Sequence, residues 1–340
     1  MFDLLKRFAL LTIAFTMFSS TLIAADSADS KSDIPDFLGY VEDHDYLELL
    51  GVKIYLPRIL VVDGEWFFYA NSKAAVESGS FIDNNHKLEP ANGKPITIDL
   101  SITSHLLYFW FAVGLTLLIF FSMSARYKKG TGIKSAPAGY FQNIMEVLFI
   151  FIRDDIAKEN IGAKKYNKYV PYLVGMFFII LFMNLFGLLP WGATATADLT
   201  VTAILALTTF LVTQFSGSKD HWTHVFMFPG VHPAIRIILT PIEIIGLFTK
   251  PFALCVRLFA NMFSGKLMVM SILGLAFILG GMFGPIVGYV TTAFVVPLTA
   301  VLYVLKAFVA LLQAYIFTML SAVFIGMAAE EHEHHTEHAH

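Results

Sequence analysis

Five apolar stretches of membrane-spanning length decide what this chain can become: His105 to Ala125, Tyr172 to Leu189, Leu199 to Phe215, Pro233 to about Leu275, and Tyr289 to Met327. A helix crosses the hydrocarbon core with about 20 residues. In lipid every backbone polar group must be satisfied within the protein, which leaves helices as the reading of such runs. Composition agrees, because 56% of the 340 residues are hydrophobic, 14% are charged and Phe alone contributes 33, far from soluble averages. The expected fold class is therefore an all-α polytopic membrane protein with about five transmembrane helices. A net charge of -3, with no basic patch carrying interleaved aromatics, argues against a nucleic-acid partner. The single cysteine, Cys255, excludes an internal disulfide framework and a cysteine-based metal site.

Charge assigns the sides of the membrane. Residues 1 to 25 read as a secretory signal, with Lys6 and Arg7, an apolar run from Phe8 to Phe18 and small residues ending at Ala25. An uncleaved anchor is the alternative. Residues 26 to 99 carry 14 acidic against 6 basic side chains and read as a separate water-soluble segment on the outer side. Within it, Val52 to Val62 and Glu65 to Ala70 flank Asp63-Gly64, the signature of a β-hairpin. The cluster Glu42, Asp43, His44, Asp45 is read as a solvated acidic loop. Arg126, Lys128, Lys129, Lys134, Arg153, Lys158, Lys164 and Lys165 follow the first span and put that stretch in the cytoplasm. Inside it, Ile144, Val147, Leu148 and Phe151 mark an amphipathic helix, Tyr140 to Ile156, lying along the membrane surface. A Gly-rich outer turn is expected at Gly280 to Gly288, and the last two stretches, longer than a perpendicular span needs, must tilt, kink at Pro251 and Pro297, or project from the bilayer. The tail Glu330 to His340, EEHEHHTEHAH, reads as a solvated cytoplasmic end.

Arg257 is the residue that the spans must accommodate. A central arginine in a membrane helix costs about 2.5 to 3.5 kcal/mol on insertion scales. Asn261 at i+4 and Ser264 at i+7 share its face. Snorkelling to a headgroup is the alternative, but apolar residues extend about two turns on one side and further on the other. Glu243 stands fourteen residues earlier, about 21 Å along the helix toward the cytoplasm, and Lys266 lies on the other side. In the last span Gln313 falls near mid-depth, with Lys306 two turns toward the outside on the same face. A guanidinium keeps its proton at any working pH, so Arg257 acts as a fixed positive charge. Such a charge favours the ionised form of a carboxylate at 4 Å by about 4 kcal/mol at an effective dielectric near 20.

Three stretches carry a family resemblance: PFALCVRLFANMFSG with KL after it, ALLQAYIFTMLSAVFIGMAAEEH from Ala310 to His332, and LLPWGATATADLTVT between the second and third spans. Together they resemble subunit a of F-type ATP synthases, over about Ser104 to His332. The resemblance implies two offset half-channels that exchange protons with a carboxylate on each c subunit of the rotor ring. It places Arg257 at the family's essential arginine, Asn261 and Gln313 at its polar neighbours, and Glu243 at an acid of the cytoplasmic side. The implied partners are the c ring, the b-subunit peripheral stalk and the other ATP synthase subunits, in a bacterial inner membrane, with the outer segment and N-terminus periplasmic and the C-terminus cytoplasmic. No cofactor and no metal are implied, and the ATP chemistry belongs to other subunits.

The sequence departs from the family pattern at two linked positions. Where the family generally has an acid or histidine after the glycine matching Gly265, and a histidine or acid seven residues before the glutamine, this chain has Lys266 and Lys306. Their roles stay open between proton relay, water-facing groups that tune ion entry, and pairing with acids of the outer segment. Sodium as coupling ion is the alternative that this substitution raises. A stand-alone transporter with Arg257 binding an anionic substrate is a further one, opposed by the lack of an inverted repeat. No HExxH or GxSxG motif lies in the spans.

Overall fold

The computed structural model describes residues 44–49, 52–84, 87–91, 93–94, 96–129, 139–189, 192–227 and 233–329. The expected signal segment, the Glu42–Asp43 part of the acidic cluster and the His-rich tail lie outside the described residues. The chain divides into two compact units. The first comprises Met1–Trp110, Met183–Asp198 and Met262–Val309; the second comprises Phe111–Phe182, Leu199–Asn261 and Ala310–His340.

The first unit begins with short antiparallel strands. β1 (Tyr46–Leu49) pairs with β2 (Val52–Tyr55), and β3 (Arg58–Val62) pairs with β4 (Glu65–Tyr69). The run from Val52 to Val62 is two strands because Leu56 and Pro57 leave the ladder: Leu56 donates its N–H to the Asp45 carbonyl at 2.8 Å, and proline has none to give. Asp63 and Gly64 turn β3 into β4 with φ of 54° and 86°, the pair of positive values that a two-residue hairpin loop requires. β3 also pairs with β7 (Ile96–Asp99), across helix α1 (Ser72–Glu77) and the hairpin β5 (Phe81–Asn84) and β6 (Lys87–Pro90). Local spacing announces the β3–β4 turn and not the long-range β7 partner. Leu60, Val62, Ala75, Phe81 and Leu88 form the core of this segment, with Phe67, Tyr69 and Ile96 against it. On its surface Lys94 hydrogen-bonds Asp63 and holds that carboxyl below the ordinary aspartate range.

The sheet leads directly into the first membrane helix, α2 (Ser104–Lys128). Leu100 N–H donates to Ile59 O at 2.9 Å, Ile102 N–H to Pro57 O at 3.2 Å, and Ser104 N–H to His44 O at 2.9 Å. Four further helices have the length and apolarity to cross a bilayer: α4 (Tyr166–Phe186), α5 (Leu199–Ser216), Leu239–Phe283 of α7 (Pro233–Phe283) and α8 (Pro285–Ala329). Between them lie α3 (Tyr140–Phe151) and α6 (Lys219–Met227). The fold class is thus an all-α polytopic membrane protein with an added β segment.

Several boundaries differ from the sequence reading. The expected turn at Gly280 to Gly288 is helical except for Gly284, whose φ of 95° alone separates α7 from α8. The glycines serve packing instead, since a Cβ on Gly280 would meet the Gly288 Cα at 3.2 Å, the close helix approach that small residues permit. Pro241, Pro251 and Pro297 all lie inside continuous helix, as neighbouring groups in membrane helices can absorb a lost backbone bond. The 45-residue spans of α7 and α8 are each about 68 Å long. Lying wholly in a core of about 30 Å, they would need a tilt on the order of 60° from the membrane normal.

In the second unit α3 continues through a π-helical stretch, Ile152–Lys158, and ends at Ile161. Gln142, Met145, Ile152 and Ile156 are its buried residues, whereas Ile144 and Val147, from the expected apolar face, are exposed. That leaves an apolar strip on the outside of the protein, as an interfacial helix requires. The last turn of α8 is held firmly. Lys165 Nζ donates to Ala329 O at 2.9 Å, and Ser218 N–H to Ala328 O at 2.8 Å. A Cβ on Gly326 would fall on the Asn160 carbonyl oxygen and 3.4 Å from Ile161 Cα. Gly326→Ala is therefore expected to cost about 1 to 3 kcal/mol, the range for overpacking, and to lower the amount of assembled subunit several-fold. Gly175→Ala, where nothing lies within 4 Å of the new carbon, is the control, and immunoblots of membranes compare the two.

Candidate functional site

The site is built on one helix face of the second unit. Along α7, Leu254, Cys255 and Leu258 are buried, at spacings that keep one side of the helix against the protein. Val256, Arg257, Ala260 and Asn261 are exposed on the other side. Arg257 therefore presents its charge outward from the chain, and among the described residues it makes no hydrogen bond or ion pair. Four residues on, Asn261 Nδ2 donates to Gln313 Oε1 of α8 at 2.7 Å. Gln313 is 1% exposed, so this bond satisfies a buried amide oxygen and fixes the register of α8 against α7 at the arginine's level.

Small residues let α8 come this close. Ala310, Ala314, Thr318, Ser321 and Ala322 are buried on the Gln313 side of the helix. Thr318 and Ser321 return their hydroxyls to Ala314 O and Phe317 O, at 2.9 and 2.8 Å. Behind them a short polar chain ties three helices: Tyr172 Oη to Thr209 Oγ1 at 2.8 Å, and Thr209 Oγ1 to Ser321 Oγ at 3.5 Å. Thr202 Oγ1 and Cys255 Sγ lie 3.5 Å apart, so the cysteine is a packing group on the back of the arginine's helix. Glu243 is half-buried, with no ion pair among the described residues. The second unit thus holds Arg257, Asn261, Gln313 and Glu243, and brings two of them, Asn261 and Gln313, into contact.

The remaining expected residues belong to the first unit. Ser264 is exposed, and Lys266 and Lys306 are half-buried. The Lys306 side chain crosses α7 at Gly265, where a Cβ would meet its Cε at 3.2 Å and its Nζ at 3.8 Å. A side chain at this position would have to push Lys306 aside by a few tenths of an ångström. Its Nζ also lies 5.8 Å from the Tyr303 ring centroid. Neither lysine has a carboxylate partner among the described residues.

The sequence reading missed a second polar group in the first unit. His105 Nδ1, at the start of α2, lies 3.5 Å from Asp198 Oδ2, just before α5. Thr196 Oγ1 donates to Asn184 Oδ1 at 2.8 Å with both residues fully buried. Asp198 and Thr196 sit in a connector without periodicity, which is why spacing did not single them out. Among the described residues no group of three or more His, Cys, Asp or Glu side chains has the arrangement to hold a metal ion.

Comparison with known proteins gives one consistent family. The family model described as ATP synthase A chain matches residues 106–326. ATP synthase subunit a 2 of Prosthecochloris aestuarii is 48% identical over 246 residues, 71% of this chain and 73% of that protein. ATP synthase subunit a of Chloroherpeton thalassium is 48% identical over 245 residues, covering 71% and 70%. The subunit a of Myxococcus xanthus is 44% identical over 248 residues, covering 72% and 78%. With its five membrane-spanning helices and a match of this extent, the chain belongs to the ATP synthase subunit a family.

Proposed function

We propose that this chain is the static ion-conducting subunit of a bacterial F-type ATP synthase, passing protons through two offset half-channels to and from carboxylates on the c ring. The observation that carries the reading is Arg257: a permanent cation on the outward face of a membrane helix, with no partner among the described residues. A charge so placed needs a counter-charge outside the chain. A rotor carboxylate passing at about 4 Å would be favoured in its ionised form by about 4 kcal/mol, and so would have released its proton before the arginine is reached. Because the arginine itself does not titrate, it also blocks a direct proton path between the half-channels.

The other residues take roles around it. Asn261 and Gln313 hold the two long helices in register beside the charge, and Gln313 spends its amide oxygen on that bond. Glu243 serves the cytoplasmic half-channel, with Ser264, Lys266 and Lys306 in the outer one. The b-subunit stalk and the remaining subunits hold this chain against rotation. The protein sits in the inner membrane with the β segment in the periplasm and the C-terminus in the cytoplasm. Sodium as coupling ion is the second reading, favoured by lysines where the family carries acid or histidine relay groups.

Replacement of Arg257 by Ala should abolish ATP-driven ion pumping by the complex in liposomes without lowering the amount of assembled subunit, since the side chain makes no hydrogen bond or ion pair among the described residues. Near-normal pumping would falsify the mechanism. The ion is identified by running the same assay with and without sodium and with a protonophore: pumping that persists without sodium and collapses with protonophore is expected. Replacing Lys266 and Lys306 together by Met should slow conduction at least several-fold if they relay or admit protons, and unchanged rates would leave them as space-filling groups.

A further inference from the structure

The first unit contains an outer station that the lysine substitutions make necessary. Resting on the half-channel reading above, we infer that His105 and Asp198 form a proton-exchange pair at the outer end of the membrane domain, positioned to receive protons before they reach Lys266 and Lys306. Three observations carry this. His105 Nδ1 and Asp198 Oδ2 are 3.5 Å apart, with the histidine side chain 5% and the aspartate side chain 26% exposed. The carboxylate therefore touches solvent while the imidazole lies inside. The pair stands where the outer β segment meets the membrane helices: Ser104, beside His105, is bracketed by the backbone of His44, whose N–H donates to Ser104 Oγ at 3.3 Å and whose carbonyl accepts from Ser104 N–H. Behind it, Thr194, Thr196 and Asn184 are buried, so the interior here is polar rather than sealed by aliphatic side chains.

The chemistry fits the pair. Imidazole changes charge near neutrality and can carry a proton on either nitrogen. In the inward direction Asp198 takes a proton from the medium at Oδ2 and passes it to Nδ1 of neutral His105. Nε2 keeps its own proton, and the imidazolium then turns about its side-chain bonds and releases the same Nδ1 proton to the interior, which restores the starting tautomer. One proton enters and one leaves, and both side chains return to their first state. The other titratable groups on the surrounding elements are Tyr108, one turn further along α2 with its ring 6.0 Å from that of Phe186, and His44. Lys266 and Lys306 belong to the same unit. The stretch matched by the family model begins at residue 106, one position after this histidine. The competing reading is purely structural: Asp198 caps α5 and His105 anchors to it.

The test uses the complete complex in liposomes, with ATP synthesis measured at fixed potential and fixed external pH while the lumenal pH is varied. His105→Gln keeps hydrogen bonding and removes titration; Asp198→Asn keeps a helix cap and removes the charge. Both variants should synthesise ATP at least fivefold more slowly and lose the dependence of rate on lumenal pH seen in the wild type. Asp198→Glu should restore part of that dependence. The proposal is overturned by a uniform loss at all lumenal pH values, by wild-type behaviour, or by absence of the subunit from the membrane in both variants, which would make the pair structural. A wild-type complex that couples no ion flow to synthesis would remove the half-channel reading itself, whatever the variants do.

Discussion

A charge in hydrocarbon must be answered by something, and among the described residues none answers Arg257 with a hydrogen bond or ion pair. The rest of the membrane domain can be understood from that constraint. α7 buries Leu254, Cys255 and Leu258 and turns the arginine away from them. α8 approaches on the same length of helix, through alanines and back-bonded Thr and Ser hydroxyls, so that Gln313 meets Asn261 at 2.7 Å. The bond satisfies the buried amide oxygen of Gln313 and leaves the guanidinium untouched. An interior salt bridge would have quenched the charge, and with it any action on a passing carboxylate.

The length of these helices follows from the same need. A helix of ordinary span length crosses the bilayer steeply and offers a curved partner only a short contact. Helices of about 68 Å are more than twice the length that an upright crossing of the core needs, and under the proposed rotor contact an inclined pair would lengthen that contact. Few of their residues are buried within the chain, the lowest share among the five spans. α4 is the opposite case: its centre is packed with Leu173, Phe177, Phe178, Ile180 and Met183, and it acts as a post. Gly280 and Gly288 bring α7 and α8 together where the two helices join, and the Gly326, Lys165 and Ser218 contacts hold the last turns of α8.

What the sequence made legible is what periodicity and charge can encode. Apolar runs predicted all five spans, and Arg257 with Asn261 and Ser264 at helical spacing marked one polar face of α7, with Gln313 expected at mid-depth of the last span. The Asp63-Gly64 dipeptide announced its hairpin through a local backbone demand. Where the reading failed, the deciding interaction was not local. A glycine-rich, uncharged stretch at 280–288 looks like a loop, yet in lipid the same glycines let two helix backbones touch, and only Gly284 breaks the helix. The pairing of β3 with β7 depends on a partner more than thirty residues away, which no window of sequence contains.

The sites behave likewise. Arg257 stood out because a charge in an apolar run is conspicuous wherever it points. His105 and Asp198 did not, since each sits at a helix terminus where a polar residue is the ordinary choice, and their meaning comes only from being 3.5 Å apart. Lys266 and Lys306 lie between these cases. Their identity is visible as a departure from the family pattern, but Gly265 makes the connection, because its missing side chain lets Lys306 lie across α7. Under the proposed reading these groups would divide the labour, the His105–Asp198 pair handling exchange with the medium and the lysines setting the charge that a proton must pass. Substituting the relay positions of a half-channel without loss of function would require such a division, because a group that gives up the acid–base role at one depth must leave it to another.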